Sequence, residues 1–248
     1  MHAATRLSGR STEAATRVAA VIPARYASTR LPGKPLADIG GRPMVEHVYR
    51  RAASASTVDS VIVATDDERV ARAVMDFGGD ARMTRGDHRC GTDRVAEVAD
   101  GLDHDLIVNV QADEPLIEPA MIDAAVAACA NNADVVMSTL RSPIRTAADL
   151  QDPDVVKIAV DRDGYALFFS RAPIGLSRAG EEARGATSVA KHIGLYVSRR
   201  PFLLTVSRLE PTPLERAEQL EQSRGFLDRE ARIRALPQGA VEQQDTRR

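Results

Sequence analysis

The 248 residues are 44% hydrophobic, enough for the core of one α/β domain with attachments or of two tightly joined lobes. A net charge of −2 with no Lys/Arg block argues against nucleic-acid or anionic-membrane binding, and no apolar run approaches the ~20 residues of a membrane span. Cys90 and Cys129 lie outside any metal-ligand spacing and read as two reduced thiols of a cytoplasmic protein.

Along the chain, residues 1–17 are small, polar and Arg-bearing, without the apolar centre of a secretory signal, and read as a flexible tail. Val18–Pro23 (VAAVIP) is a short apolar run suited to a buried strand. Pro43 opens a helix to about Ala53, and Val61–Ala64 is a second strand. Thr65-Asp66-Asp67-Glu68 has capping-box spacing before a helix ending near Gly78-Gly79, and Thr92 can cap a helix carrying Val95 and Val98. Leu106–Val110 is the next strand, Pro119 opens another helix, and Val135–Leu140 is a strand again. This βαβα rhythm predicts a doubly wound, mostly parallel sheet.

From about residue 153 the alternation loosens. Val155–Val160, Tyr165–Phe169 and Ile193–Val197 read as strands, and Glu181–Ser188 as a mobile loop. Thr212-Pro213-Leu214-Glu215 is a further capping box, predicting a helix to about Arg224 with Leu214, Ala217 and Leu220 as its apolar stripe.

Three segments carry chemistry. Pro23–Leu36 (PARYASTRLPGKPL) follows the first strand, where open α/β sheets place their ligand crevice. Arg25, Arg30 and Lys34 supply cations, Ser28 and Thr29 hydroxyls, and Gly33 close backbone approach, as a triphosphate needs. In Asn109–Pro115 (NVQADEP), Asp113 falls just past a buried strand, where a carboxylate can hold Mg²⁺ or simply form a turn; Gln111 can bond a base or sugar. In Met83–Arg94 (MTRGDHRCGTDR), Gly91-Thr92 leads into a helix N-terminus suited to an anion, while His88 reads more readily as a solvated loop residue than as a substrate contact.

These segments, with YALFFSRAPI, KHIGLY and TPLERAEQLEQSR in order after them, resemble the 3-deoxy-manno-octulosonate (Kdo) cytidylyltransferases from about Ala19 to Arg224. The resemblance implies a nucleotide-diphospho-sugar-transferase-like fold that moves CMP from CTP to an acidic acceptor with release of pyrophosphate. It implies a CTP-binding core at 18–152, an acceptor and dimerisation lobe at 153–248, and possible homodimers. Arg25, Ser28, Thr29, Arg30, Lys34, Arg85 and Gln111 would face the nucleotide, with Asp113 and Asp245 as Mg²⁺ ligands. Arg171, His192, Tyr196, Glu221 and Gln222 would form the acceptor pocket.

The sequence departs from the family pattern at Ala112 (a glycine there), Cys90 (a serine), Gly175 (a proline) and near Ser198, where an aromatic is expected. It also ends just after Asp245, where relatives run on. Only three of its 33 cationic residues are Lys, a bias that looks like GC-rich coding of an actinomycete type. The acceptor therefore divides between a Kdo-like sugar acid and a small phosphonate such as phosphonoformate, as in antibiotic biosynthesis. The rival readings are a nucleotidyltransferase for another sugar acid and a nucleotide-binding module without turnover.

Overall fold

The computed structural model describes residues 15–27, 31–175, 189–227 and 231–238; Ser28, Thr29, Arg30, Glu181–Ser188 and Asp245 lie outside them. In chain order the strands are β1 (Val18–Pro23), the hairpin β2 (Asp38–Ile39) and β3 (Arg42–Pro43), β4 (Ser60–Thr65), β5 (Asp80–Met83) and β6 (Leu106–Val110). After these come β7 (Val135–Ser142), β8 (Lys157–Val160), β9 (Ala166–Ser170), β10 (Val189–Arg199) and β11 (Arg232–Pro237). The helices are α1 (Met44–Ala53), α2 (Glu68–Asp76), α3 (Gly91–Asp100), α4 (Pro119–Ala130), α5 (Ala147–Gln151), α6 (Arg200–Ser207) and α7 (Pro213–Glu218), with 3₁₀ turns at Lys34–Leu36 and Glu221–Leu227.

β1 is apolar at every position because both faces of the sheet are covered. Ala20 and Ile22 pack under α1, α2 and α4 through Val45, Val70 and Ile122. Ala19 and Val21 face the other way, under α3 and α6 through Val95, Ala99 and Leu203. The sheet order is β11-β7-β10-β6-β1-β4-β5, with β8 branching from β10 and β9 from β8. β1 pairs parallel with both β4 and β6, and β4 with β5, so the first half is the doubly wound parallel sheet the sequence predicts. The chain turns one way from β1 and the other way back to it, which opens a crevice at the carboxyl ends of β1 and β6. β10 enters antiparallel between β6 and β7 and also pairs with β8, and β11 returns to a parallel pairing with β7.

Several local expectations give way to tertiary packing. β5, α5, α6, β11 and the β2–β3 hairpin had no reading. Thr65 ends β4 instead of capping, and Asp67 caps α2 by accepting from the Arg69 amide. Cys90, not Thr92, is the N-cap of α3, which places Thr92 inside the first turn. Thr212 does cap α7, accepting from the Glu215 amide at 2.9 Å, but the helix stops at Glu218 rather than near Arg224. Gln219 takes the left-handed conformation (φ 52°), turning the chain into the 3₁₀ segment. The predicted stripe holds only at Leu220, which is buried: Leu214 and Ala217 are exposed, and Glu215 is buried in their place.

Burial of Glu215 follows from Arg224, itself only 2% exposed. The Arg224 guanidinium donates to Glu215 Oε1 (2.8 Å), Asp93 Oδ1 (3.0 Å) and Cys90 Sγ (3.3 Å), joining α7 to the start of α3. Arg224→Met would leave the buried Glu215 and the partly buried Asp93 without their cation. The expected cost is about 3–5 kcal/mol of unfolding free energy, read as a fall in the urea midpoint. A midpoint within experimental error of the parent protein would contradict this account of the segment.

Candidate functional site

The loop after β1 is shaped by a close approach. Gly33 has φ 72° and sits so near the Tyr26 ring that an added Cβ would lie 3.1 Å from it, while the Gly33 amide bonds the Tyr26 carbonyl at 2.9 Å. The Arg69 guanidinium stacks 3.4 Å over the Tyr26 ring and is itself held by Asp67. The loop thus presents Arg25, exposed, and Lys34, half-buried, above the carboxyl end of β1. Lys34 Nζ donates to Asp113 Oδ2 at 2.6 Å, so the loops after β1 and β6 meet through an ion pair.

Behind Asp113, Gln111 donates to Asn109 Oδ1 (3.2 Å), and the Glu114 amide donates to the Gln111 carbonyl (3.1 Å). Burial pushes the Glu114 carboxyl up, helped by the neighbouring Asp113 charge and opposed by Lys191 and Lys34. Gly91 lies beside Pro23 and Gln111, and an added Cβ would meet them at 3.4 Å or more, in ordinary contact. Ala112 has no positive φ, so the methyl group that replaces a glycine strains nothing and instead packs against the core. Gly175 does need its freedom: φ is 74°, which a proline ring cannot adopt, and a Cβ would meet Val189 Cγ2 at 2.6 Å.

A cavity of about 390 Å³ opens beside this crevice. Its wall combines Thr92, Gln111 and Glu114 from the first half with Asp154, Lys191, His192, Tyr196, Glu221 and Gln222 from the second. Glu221 accepts from the Gly91 amide (3.3 Å), the Thr92 amide (3.1 Å) and Thr92 Oγ1 (2.7 Å), so a carboxylate occupies the start of α3. Burial raises the Tyr196 phenol well above its ordinary value, with the Glu221 charge adding to the effect.

His192 is boxed between Phe169 and Tyr196, with ring centroids 5.1 and 5.2 Å away. Burial pushes its imidazole down to about 3. Thr139 Oγ1 donates to the Leu195 carbonyl at 2.8 Å, which leaves its oxygen to accept from His192 Nε2 at 2.9 Å. His192 is therefore neutral and protonated at Nε2.

The structure thus brings Lys34 to Asp113, and Gln111, His192, Tyr196, Glu221 and Gln222 to one cavity. Arg171 is not among its described lining residues: its Nε donates to the Glu218 carbonyl and its Nη1 to the Pro153 carbonyl, bracing the wall from behind. Arg85 pairs with Glu97 at a separate depression along α3 and α6. His88, expected to be solvated, has a 5% exposed side chain bonded to Glu97. Sequence reasoning missed Glu114, Asp154, Lys191 and Gln219. The scarcity of lysine was the available signal for Lys191.

Residues 19–233 match the family model described as cytidylyltransferase. The chain is 55% identical over 227 residues, 89% of each chain, to the 3-deoxy-manno-octulosonate cytidylyltransferase of Geobacter metallireducens. It is 54% identical to that of Geobacter sulfurreducens, covering 88% of this chain and 90% of the relative. It superposes on CMP:2-keto-3-deoxy-manno-octonic acid synthetase complexed with CTP with a TM-score of 0.83, 43% identity and 90% coverage of both chains. A 4-diphosphocytidyl-2C-methyl-D-erythritol synthase from Anaerococcus prevotii, at 14% identity and TM-score 0.56, shares the fold.

The neutral His192 has a consequence for acid stability. Its folded pKa of about 3 lies below the ordinary 6.5, so between those values the unfolded chain binds more protons. This contribution to stability is present above pH 6.5 and declines as pH falls towards 3. His192→Gln removes it: urea unfolding at pH 7 and pH 5 should show a smaller acid loss in the variant than in the parent. Equal losses in the two proteins would contradict a neutral, buried imidazole.

Proposed function

The chain belongs to the cytidylyltransferase family, and from that premise we propose how its site moves CMP from CTP to 3-deoxy-manno-octulosonate, releasing pyrophosphate. The observation that carries the reading is the meeting of Lys34 and Asp113, 2.6 Å apart, at the carboxyl ends of neighbouring parallel strands and beside a cavity of acceptor size. Residues 18–152 hold CTP and residues 153–248 contribute most of the acceptor wall. Arg25, Ser28, Thr29, Arg30 and Lys34 grip the triphosphate, and Gln111 faces the cytosine or ribose. His192, Tyr196, Glu221 and Gln222 face the sugar acid, with Arg171 supporting the wall.

The acceptor hydroxyl attacks the α-phosphorus in line and pyrophosphate leaves. The site needs no nucleophile of its own, because positioning and charge neutralisation are the protein's main contributions to phosphoryl transfer. His192 is uncharged and donates from Nε2 inward to Thr139, so it shapes the wall rather than moving a proton. Lys34 places a point charge against the departing phosphates.

Asp113 suits Mg²⁺. Its carboxylate is half-exposed, and among the described residues no cluster of three His, Cys, Asp or Glu forms an all-protein cage. Mg²⁺ takes one or two carboxylates and completes its shell with water and substrate phosphates. When bound, the metal neutralises phosphate charge; Asp113 and Asp245 are its proposed protein ligands. Nothing in the relatives' names supports the phosphonate alternative.

The test is pyrophosphate release by the purified protein with Mg²⁺ and CTP, comparing Kdo with phosphonoformate. Kdo is expected to turn over and phosphonoformate to fail. Asp113→Asn and Lys34→Met should each lower kcat/KM by about 10²-fold or more, with circular dichroism unchanged. Release with phosphonoformate alone would overturn the acceptor. CTP binding without release on either acid would favour a module that has lost turnover.

A further inference from the structure

An acceptor that is a sugar acid brings a carboxylate into the cavity, and the wall must hold that charge. The described lining carries three acidic side chains, Glu114, Asp154 and Glu221. Glu221 is already satisfied by the first turn of α3. His192 contributes no positive charge, since burial keeps it neutral. Arg171 spends its Nε and Nη1 on backbone carbonyls and is not part of the described lining. Lys191 is the one cationic side chain among the described lining residues, set against three carboxylates.

We propose that Lys191 is the specificity-determining cation of this pocket, which pairs with the acceptor carboxylate and selects acids over neutral sugars. The proposal rests on the acceptor reading given above. The three lysines of the chain separate by environment. Lys34 is paired with Asp113 at 2.6 Å. Lys157 is fully buried and donates to the Asp152 and Arg171 carbonyls at 2.6 and 2.7 Å. Lys191 is exposed on β10 and lines the cavity.

Its charge also reaches across the cavity, because it opposes the upward shift that burial and Asp113 impose on the Glu114 carboxyl on the loop after β6. An acceptor carboxylate entering there exchanges a long-range attraction for a direct charge-assisted hydrogen bond. An ammonium on a flexible four-carbon stem tolerates an acid whose orientation is set by its reacting hydroxyl, where a guanidinium fork would impose its own.

The experiment measures pyrophosphate release by the full chain with CTP and Kdo, comparing the parent protein with Lys191→Met and Lys191→Arg. Lys191→Met is expected to raise the Kdo KM about tenfold or more while the CTP KM stays within twofold. Lys191→Arg should recover part of the loss, and the methyl ester of Kdo should show no difference between parent and Lys191→Met. The side chain is exposed, so thermal midpoints should agree and separate this effect from misfolding. Parent turnover with an unchanged Kdo KM in Lys191→Met would overturn the inference and leave the transfer reaction standing. No release from Kdo by the parent protein would overturn both.

Discussion

The first turn of α3 carries two opposite charges from one short 3₁₀ segment, and the active cleft depends on that arrangement. Glu221 satisfies the Gly91 and Thr92 amides at its start, and three residues later Arg224 grips Asp93 on the same turn. Helix starts favour a carboxylate, and Asp93 favours a cation, so the segment can dock in only one polarity. Gln111 lies beside Gly91, while Gln222 follows Glu221 directly. The two halves of the cleft are thereby fixed to one another through a single helical turn. The left-handed Gln219 makes the docking possible by ending α7 at the required place.

Much of this was legible locally. β1 could be read because burial on both faces makes its apolar run continuous, and the loop after it because prolines and Gly33 restrict the backbone. The place of Asp113 just past β6 was legible too, and the structure pairs it there with Lys34. What escaped was set by distant partners. Thr92 has a capping side chain, but Glu221, 129 residues away, claims its hydroxyl, and the cap falls to Cys90. Glu215 reads as the closing residue of a capping box, and only its distant partner Arg224 accounts for its burial. Arg171 carries a charge that sequence assigns to a ligand, yet two carbonyls take its donors. β5 and β11 are short and only partly apolar, so their strand character comes from their pairing with β4 and β7.

The departures from the family pattern also sort by geometry. Ala112 is innocuous because its backbone is ordinary, whereas Gly175 marks a turn that a proline could not make. Charge is unevenly spread between the two halves of the cleft: cations stand on the loop after β1, and carboxylates around the cavity beside it. That division suits a reaction in which one substrate arrives with a triphosphate and the other with a single carboxylate.

Cys90, where relatives have serine, gives the cleft one last property. Burial raises its thiol, the Glu221 and Asp93 charges add to that effect, and the Arg224 guanidinium rests against the sulfur. Cys129 is buried under β10 and raised as well. Thiol chemistry proceeds through the thiolate, and both surroundings disfavour that form. The sulfur at the start of α3 is thereby made a poorer target for alkylating and oxidising agents than a free thiol would be.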